Sequence, residues 1–216
     1  MSIAGYISPR ELKDLLLSLA ALVVAFSVLI GGRSIPGLEM ILIIALGVGT
    51  GFILHEMAHK FTALHFGYLA EYRANMTGLF LAVVLSFAGF IFAAPGAVMI
   101  SRPRLPEEFY GRDPYGRAEL AAQLKNESLW ISLAGPLTNI LLSAAFFILL
   151  LLSSQEAIFG RAASFGLMIN ITLAAFNLLP FGPLDGKKIF DSSRIVWLIV
   201  GLPTILLGVS IYLRMI

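Results

Sequence analysis

Residues 55 to 59 read His-Glu-Met-Ala-His. On an α-helix, positions four apart lie about 40° apart around the axis, so His55 and His59 project from one face and can share a metal ion. Glu56, about 100° from His55, lies beside such a metal without having to ligate it. That is the place of a general base acting on metal-activated water. The chain has 3 histidines and no cysteine, so thiolate ligands are excluded and a metal must rest on His, Asp and Glu. A catalytic zinc takes three protein ligands and keeps the fourth position for water; two histidines are therefore one ligand short.

Two segments offer the third. In HEMAHKFTALH, His65 matches the spacing H-E-x-x-H-x-x-G-x-x-H, except that Thr62 stands where a glycine would let the chain turn. If the helix simply continues, His65 points roughly 120° away from His59. The other segment is FNLLPFGPLDGKK, residues 176 to 188, where Pro180, Pro183 and Gly186 prevent regular helix around Asp185. Irregular backbone at membrane depth is tolerated only when it is buried in protein or faces a water-filled cavity, and a lone carboxylate there suits a cation. An interfacial turn is the plainer alternative for Pro-Leu-Asp-Gly. A glutamate from the polar segment 101–127 is a further possible source.

The elements that must position these groups are apolar. The chain of 216 residues is 58% hydrophobic and only 13% charged, about half the charged share of soluble domains, which makes it an integral membrane protein. Residues 38 to 54 carry one charge, Glu39, and would rise about 25 Å as a helix, most of a bilayer core. Apolar runs occur near 14–31, 38–66, 78–100, 128–152, 160–180 and 194–213. The basic residues flank these runs, where they set topology; nucleic acid is not an expected partner. Arg10, Glu11, Lys13 and Asp14 precede the first run with no clear cleavage site after it, so it reads as a retained span. Gly47, Gly49 and Gly51 follow no strand and read as close helix packing instead of a nucleotide loop.

The run 78–100 decides between five crossings and six. Gly89 and Pro95-Gly96 break it into short pieces rich in Val, Ile, Phe and Leu, which predicts a small sheet of about four short strands over 71–101. If it does not cross, Arg33, Arg161 and Arg214 fall on one side of the membrane and the other 12 of the 15 Lys and Arg on the other, the bias of cytoplasmic loops. If it does cross, the bias vanishes. The expected fold is therefore an α-helical polytopic membrane protein: a bundle of five (alternatively six) transmembrane helices with a small membrane-associated β-sheet between the second and third spans. The N-terminus is expected in the cytoplasm.

Three motifs in order now carry a resemblance. His55-Glu56-x-x-His59 ends one span; Asn177, Pro180, Leu184, Asp185 and Gly186 form N-x-x-P-x-x-x-L-D-G after a later one; AGPLTN, residues 134–139, lies between them. Together they resemble the site-2 protease family of intramembrane zinc metalloproteases, over a core of about 38–190. The resemblance implies that His55, His59 and Asp185 bind zinc, that Glu56 is the catalytic base, and that Asn139 and Asn177 line the site and donate to the oxyanion or substrate backbone. It also implies a substrate that is a membrane protein with a transmembrane helix, cut in or near that helix. The chain reads as a single protease domain, 1–216, without the PDZ domain or CBS pair of many members. For His55, His59 and Asp185 to share one metal near one membrane face, an even number of crossings must separate them, which again favours five spans and a site nearer the cytoplasmic face.

Two other readings stay open on sequence. One is a membrane zincin of another kind, with His65 or a glutamate of 101–127 as third ligand; the other is a transporter whose His and Asp line a metal or proton path.

Overall fold

The computed structural model describes residues 7–32, 35–91, 95–102, 114–154 and 157–213. Nine elements follow in order: α1 (Pro9–Gly31), α2 (Leu38–His65), β1 (Leu69–Ala74), α3 (Met76–Ser86), β2 (Gly96–Ser101), α4 (Pro114–Leu152), α5 (Ile158–Asn177), α6 (Asp185–Ser192) and α7 (Arg194–Leu213). Among the described residues, five helices (α1, α2, α4, α5 and α7) are long and apolar enough to cross a membrane.

The segment after α2 differs in detail from the expected four strands. The sheet has two antiparallel strands, β1 and β2, running in register from Leu69↔Ser101 to Ala74↔Gly96. Between them lies a helix, α3, because the Asn75 side chain accepts the Gly78 N–H at 3.2 Å and so caps its start. Its apolar content looks strand-like, but Leu79, Ala82 and Ser86 recur at helical spacing and are the buried side, while Phe80, Leu81, Val84 and Phe87 face outward. Eleven residues rise about 16 Å, half a bilayer core, so α3 does not cross. Five spans stand, and the sheet lies between the second and third.

α1 fastens the sheet to α2. Pro9 opens it, and the Ser8 hydroxyl accepts the Glu11 N–H at 3.1 Å and donates to Glu71 at 2.7 Å. Glu11 is fully buried: one carboxylate oxygen accepts the Tyr72 N–H at 2.9 Å and the other pairs with Lys60, itself 1% exposed. Asp14 accepts the Ala74 N–H at 3.3 Å. Two α1 carboxylates thus occupy the outer edge of β1, which would otherwise leave backbone donors unmatched. Tyr72 is buried against Phe52 with ring centroids 5.6 Å apart, and its hydroxyl donates to Ser18 at 2.9 Å.

The main apolar cluster joins α1 (Leu15, Leu22), α2 (Ile43, Ile44, Val48, Phe52) and α5 (Phe165, Ile169). A second one, Leu133, Leu178 and Ile189, ties α4 to α6 and the end of α5. Asp185 depends on this second cluster, because α6 begins with it.

The Glu11–Lys60 pair is buried and hydrogen-bonded, so removing one partner strands a charge. Lys60→Met is expected to cost roughly 3–5 kcal/mol, and Glu11→Gln with Lys60→Met, which keeps an acceptor for the Tyr72 N–H, to recover a good part of it. Thermal unfolding of the three proteins in one detergent checks this; a double variant no more stable than the single one contradicts it.

Candidate active site

α2 continues as regular helix to His65, so Thr62 makes no turn. The consequence is that His55 and His59 stay on one face, both buried, with ring centroids 4.7 Å apart, while His65 is exposed and meets Phe66 edge-on, centroids 5.5 Å apart. His65 does not join the ligand group, which among the described residues is His55, His59 and Asp185. The segment 103–113, including Glu107 and Glu108, lies outside the described residues.

Asp185 is brought in by the break after α5. α5 ends at Asn177; Pro180 and Pro183 cannot donate to a continuing helix, and Gly182 turns the chain at φ +64°. The Leu178 carbonyl, freed by the break, accepts the Trp197 indole N–H at 2.8 Å. Gly186 then sets the start of α6 directly on the Leu178–Leu179 backbone, where any side chain would collide with it. With α6 so seated, Asp185 Oδ2 lies 3.0 Å from His59 Nε2 and 3.4 Å from His55 Nε2, and Oδ1 is 3.7 Å from the Lys188 ammonium.

The protonation of both imidazoles follows from what stands behind them. The Asn139 amide donates from Nδ2 to the Gly51 carbonyl at 3.0 Å and to Asn170 Oδ1 at 2.9 Å, so its Oδ1 is an acceptor, 2.5 Å from His55 Nδ1. His55 must therefore carry its proton on Nδ1. His59 Nδ1 faces the Ile131 carbonyl at 2.7 Å, with the same result. That carbonyl belongs to α4, in the turn preceding Pro136, a proline inside the helix.

In the neutral imidazoles both Nε2 atoms then present lone pairs, 3.0 Å from each other and 3.0 and 3.4 Å from a carboxylate oxygen. Three lone pairs converging with no proton between them repel one another unless a cation lies at their centre. Tetrahedral ligands held about 2.0–2.1 Å from zinc are about 3.3–3.4 Å apart, so the set fits a zinc ion with only small adjustment. The wall opposite is Gly135: a Cβ there would sit 2.6 Å from His55 Nε2 and closer still to His59 Nε2. Glu56 is buried beside His55, on the side of α2 that meets β2, where the Val98 backbone amide faces its carboxyl.

Among the residues expected in the site, His55, His59, Glu56 and Asp185 come together. Asn139 does so in a different role: both of its amide hydrogens are committed to Gly51 and Asn170, so it orients His55 and has no donor left for an oxyanion. Asn177 lies at the end of α5, half-buried, with one amide hydrogen given to the Leu173 carbonyl at 3.0 Å. Sequence reasoning missed Asn170, fully buried and bonded to Asn139 and to the Gly166 carbonyl at 2.8 Å. A lone asparagine amid ILMF-type neighbours was its signal. Gly135 was passed over as well, although it lies inside AGPLTN.

Orientation by Asn139 predicts that Asn139→Ala weakens metal binding by about 10–100-fold, the usual effect of removing a ligand's hydrogen-bond partner. Gly135→Ala is expected to abolish binding by filling the space between the imidazoles. Competition against a zinc-binding dye measures both; unchanged affinity in either variant contradicts the geometry.

The sequence profile described as Peptidase family M50 matches residues 42–165, which contain His55, Glu56, His59 and Asn139 but not Asp185. "Putative zinc metalloprotease MJ0611" of Methanocaldococcus jannaschii is 36% identical over 209 residues, 95% of each chain. "Putative zinc metalloprotease YwhC" of Bacillus subtilis is 30% identical over 157 residues, 65% of this chain and 64% of its own. No solved structure gives a significant match. A profile covering more than half of the chain and a relative aligned along nearly all of it agree: the chain belongs to Peptidase family M50, the site-2 protease family.

Proposed function

We propose that this protein is a zinc endopeptidase that hydrolyses a peptide bond in or near the transmembrane segment of a membrane-anchored protein. The observation that carries the reading is the convergence of His55 Nε2, His59 Nε2 and Asp185 Oδ2 beside the buried carboxyl of Glu56. The family membership and the relatives' names support zinc as the ion. Zinc, when bound to these three residues, supplies Lewis acidity toward water and the scissile carbonyl.

The chain's own residues supply the rest. His55 and His59 are held as ligands by Asn139 and the Ile131 carbonyl, and Asp185 by the seat of α6. Glu56 takes a proton from the attacking water as its oxygen bonds the carbonyl carbon. As the C–N bond breaks, Glu56 returns that proton to the departing nitrogen, leaving one new carboxyl and one new amine. Asn177, with its second amide hydrogen, donates to the substrate backbone at the mouth of the site.

A helical substrate hides its carbonyls in its own hydrogen bonds and must be extended before attack. The outer edge of β2 supports such a step. Tyr72↔Val98 is a pair whose N–H groups point away from the partner strand, Tyr72 toward Glu11 and Val98 toward Glu56. The β1 edge is covered by α1, so an incoming strand adds to β2, next to the base. The cut lies nearer the cytoplasmic face, a side assigned by the excess of Lys and Arg in the loops there.

Purified protein incubated with a single-span substrate should yield two fragments, with the cut mapped by mass within or beside the span. Glu56→Gln is expected to bind one zinc and to cleave at least a hundredfold more slowly. Full activity in Glu56→Gln, or cleavage insensitive to a chelator, rejects the reading.

A further inference from the structure

Away from the ligands, on the side of α6 remote from Asp185, a cavity of about 380 Å³ opens between α4, the end of α6 and the start of α7. It is lined by Lys125, Phe190, Asp191, Ser192 and Arg194. Its charge balance is positive in effect. Asp191, the acid among the lining residues, pairs with Lys187, and among the described residues no carboxylate pairs with Lys125 or Arg194. Arg194 instead lies over the Phe190 ring, 5.4 Å from its centroid, and Phe190 packs edge-on against Trp197 at 5.3 Å. The guanidinium is thus held in place with its donors uncommitted to any acid.

Depth singles out the ligand. The apolar part of α4 starts at Ser128, so Lys125 stands about 4–5 Å outside the hydrocarbon, within the headgroup layer. The apolar run of α7 starts at Ile195, so Arg194 is at the same boundary. Two cations from different helices therefore meet a serine hydroxyl at the depth where phospholipid phosphates lie.

We propose that this cavity binds the phosphate of an anionic phospholipid headgroup, through the Lys125 ammonium, the Arg194 guanidinium and the Ser192 hydroxyl. The shared chemistry would also accept a soluble phosphate ester, but only a lipid presents its phosphate at this depth. The lipid sits at the C-terminal end of the helix whose first residue is Asp185, so it braces α6 from the end opposite the ligand. The site stands independently of the protease reading, since binding is its readout.

Native mass spectrometry of protein released from nanodiscs containing equal phosphatidylglycerol and phosphatidylcholine tests it. Wild-type protein should retain phosphatidylglycerol in preference to phosphatidylcholine. Lys125→Ala or Arg194→Ala should lower retention about fivefold and the double variant about twenty-five-fold, as expected for one and two cations near the surface. Lys125→Arg should retain the lipid, and Arg161→Ala, whose residue pairs with Glu39 elsewhere, should behave as wild type. Matching thermal unfolding curves show that the exposed substitutions leave the fold intact. Equal retention of both lipids, or a double variant that keeps its phosphatidylglycerol, overturns the proposal. So does displacement of the lipid by millimolar glycerol phosphate or by an Asp/Glu-rich peptide, which would assign the cavity to a soluble anion or to an acidic protein segment.

Discussion

The structure turns on a repulsion. With both imidazoles neutral, two ring nitrogens and one carboxylate oxygen turn their lone pairs on one another at 3.0–3.4 Å in a buried pocket. In water such a cluster would drift apart, and at this depth its uncompensated charge would be costly. It holds its shape because every group is fixed from behind: His55 by Asn139, His59 by the Ile131 carbonyl, Asp185 by a helix start pressed onto the end of α5. A divalent cation converts the repulsion into attraction, and much of the polar chemistry inside the bundle serves that exchange.

The same economy explains which polar residues are buried. Asn139 donates to Asn170 and to the Gly51 carbonyl, and Asn170 to the Gly166 carbonyl, so both buried amides are hydrogen-bonded inside the bundle. Glu11 and Lys60 neutralise each other one residue after His59, and Glu11 also takes up a strand N–H. That pair links α1, α2 and the sheet through one carboxylate, so the position of β2 beside Glu56 is set by contacts at the far edge of β1. At these points protein–protein hydrogen bonds replace water inside the bundle.

Much of this was legible in the chain. Residue type and helical spacing placed His55, Glu56 and His59 together, and the requirement that a distant carboxylate reach the same membrane face fixed five crossings once 78–100 was taken not to span. Pro180 and Pro183 announced the irregular backbone that follows α5, but Asp185 and Gly186, expected within it, instead open helix α6, with Gly186 pressed against the end of α5. What periodicity could not show was partnership across the bundle. Asn139 looks like a donor awaiting substrate until Gly51 and Asn170 take both of its hydrogens. In the same way, Leu-Phe-Leu-Ala-Val-Val has the composition of a strand, yet the cap supplied by Asn75 makes it helix α3. Lys60 and Glu11 are 49 positions apart, and nothing local marks them as a buried pair.

The central claim is that one metal ion is held by two imidazoles and one carboxylate. X-ray absorption at the zinc edge, on the zinc-loaded protein in detergent, reads that set directly. A first shell of four light ligands at about 2.0–2.1 Å, whose multiple-scattering signal requires two imidazoles, is the predicted result. Three imidazoles, which would draw in His65, or a hydrated ion with none, would contradict it.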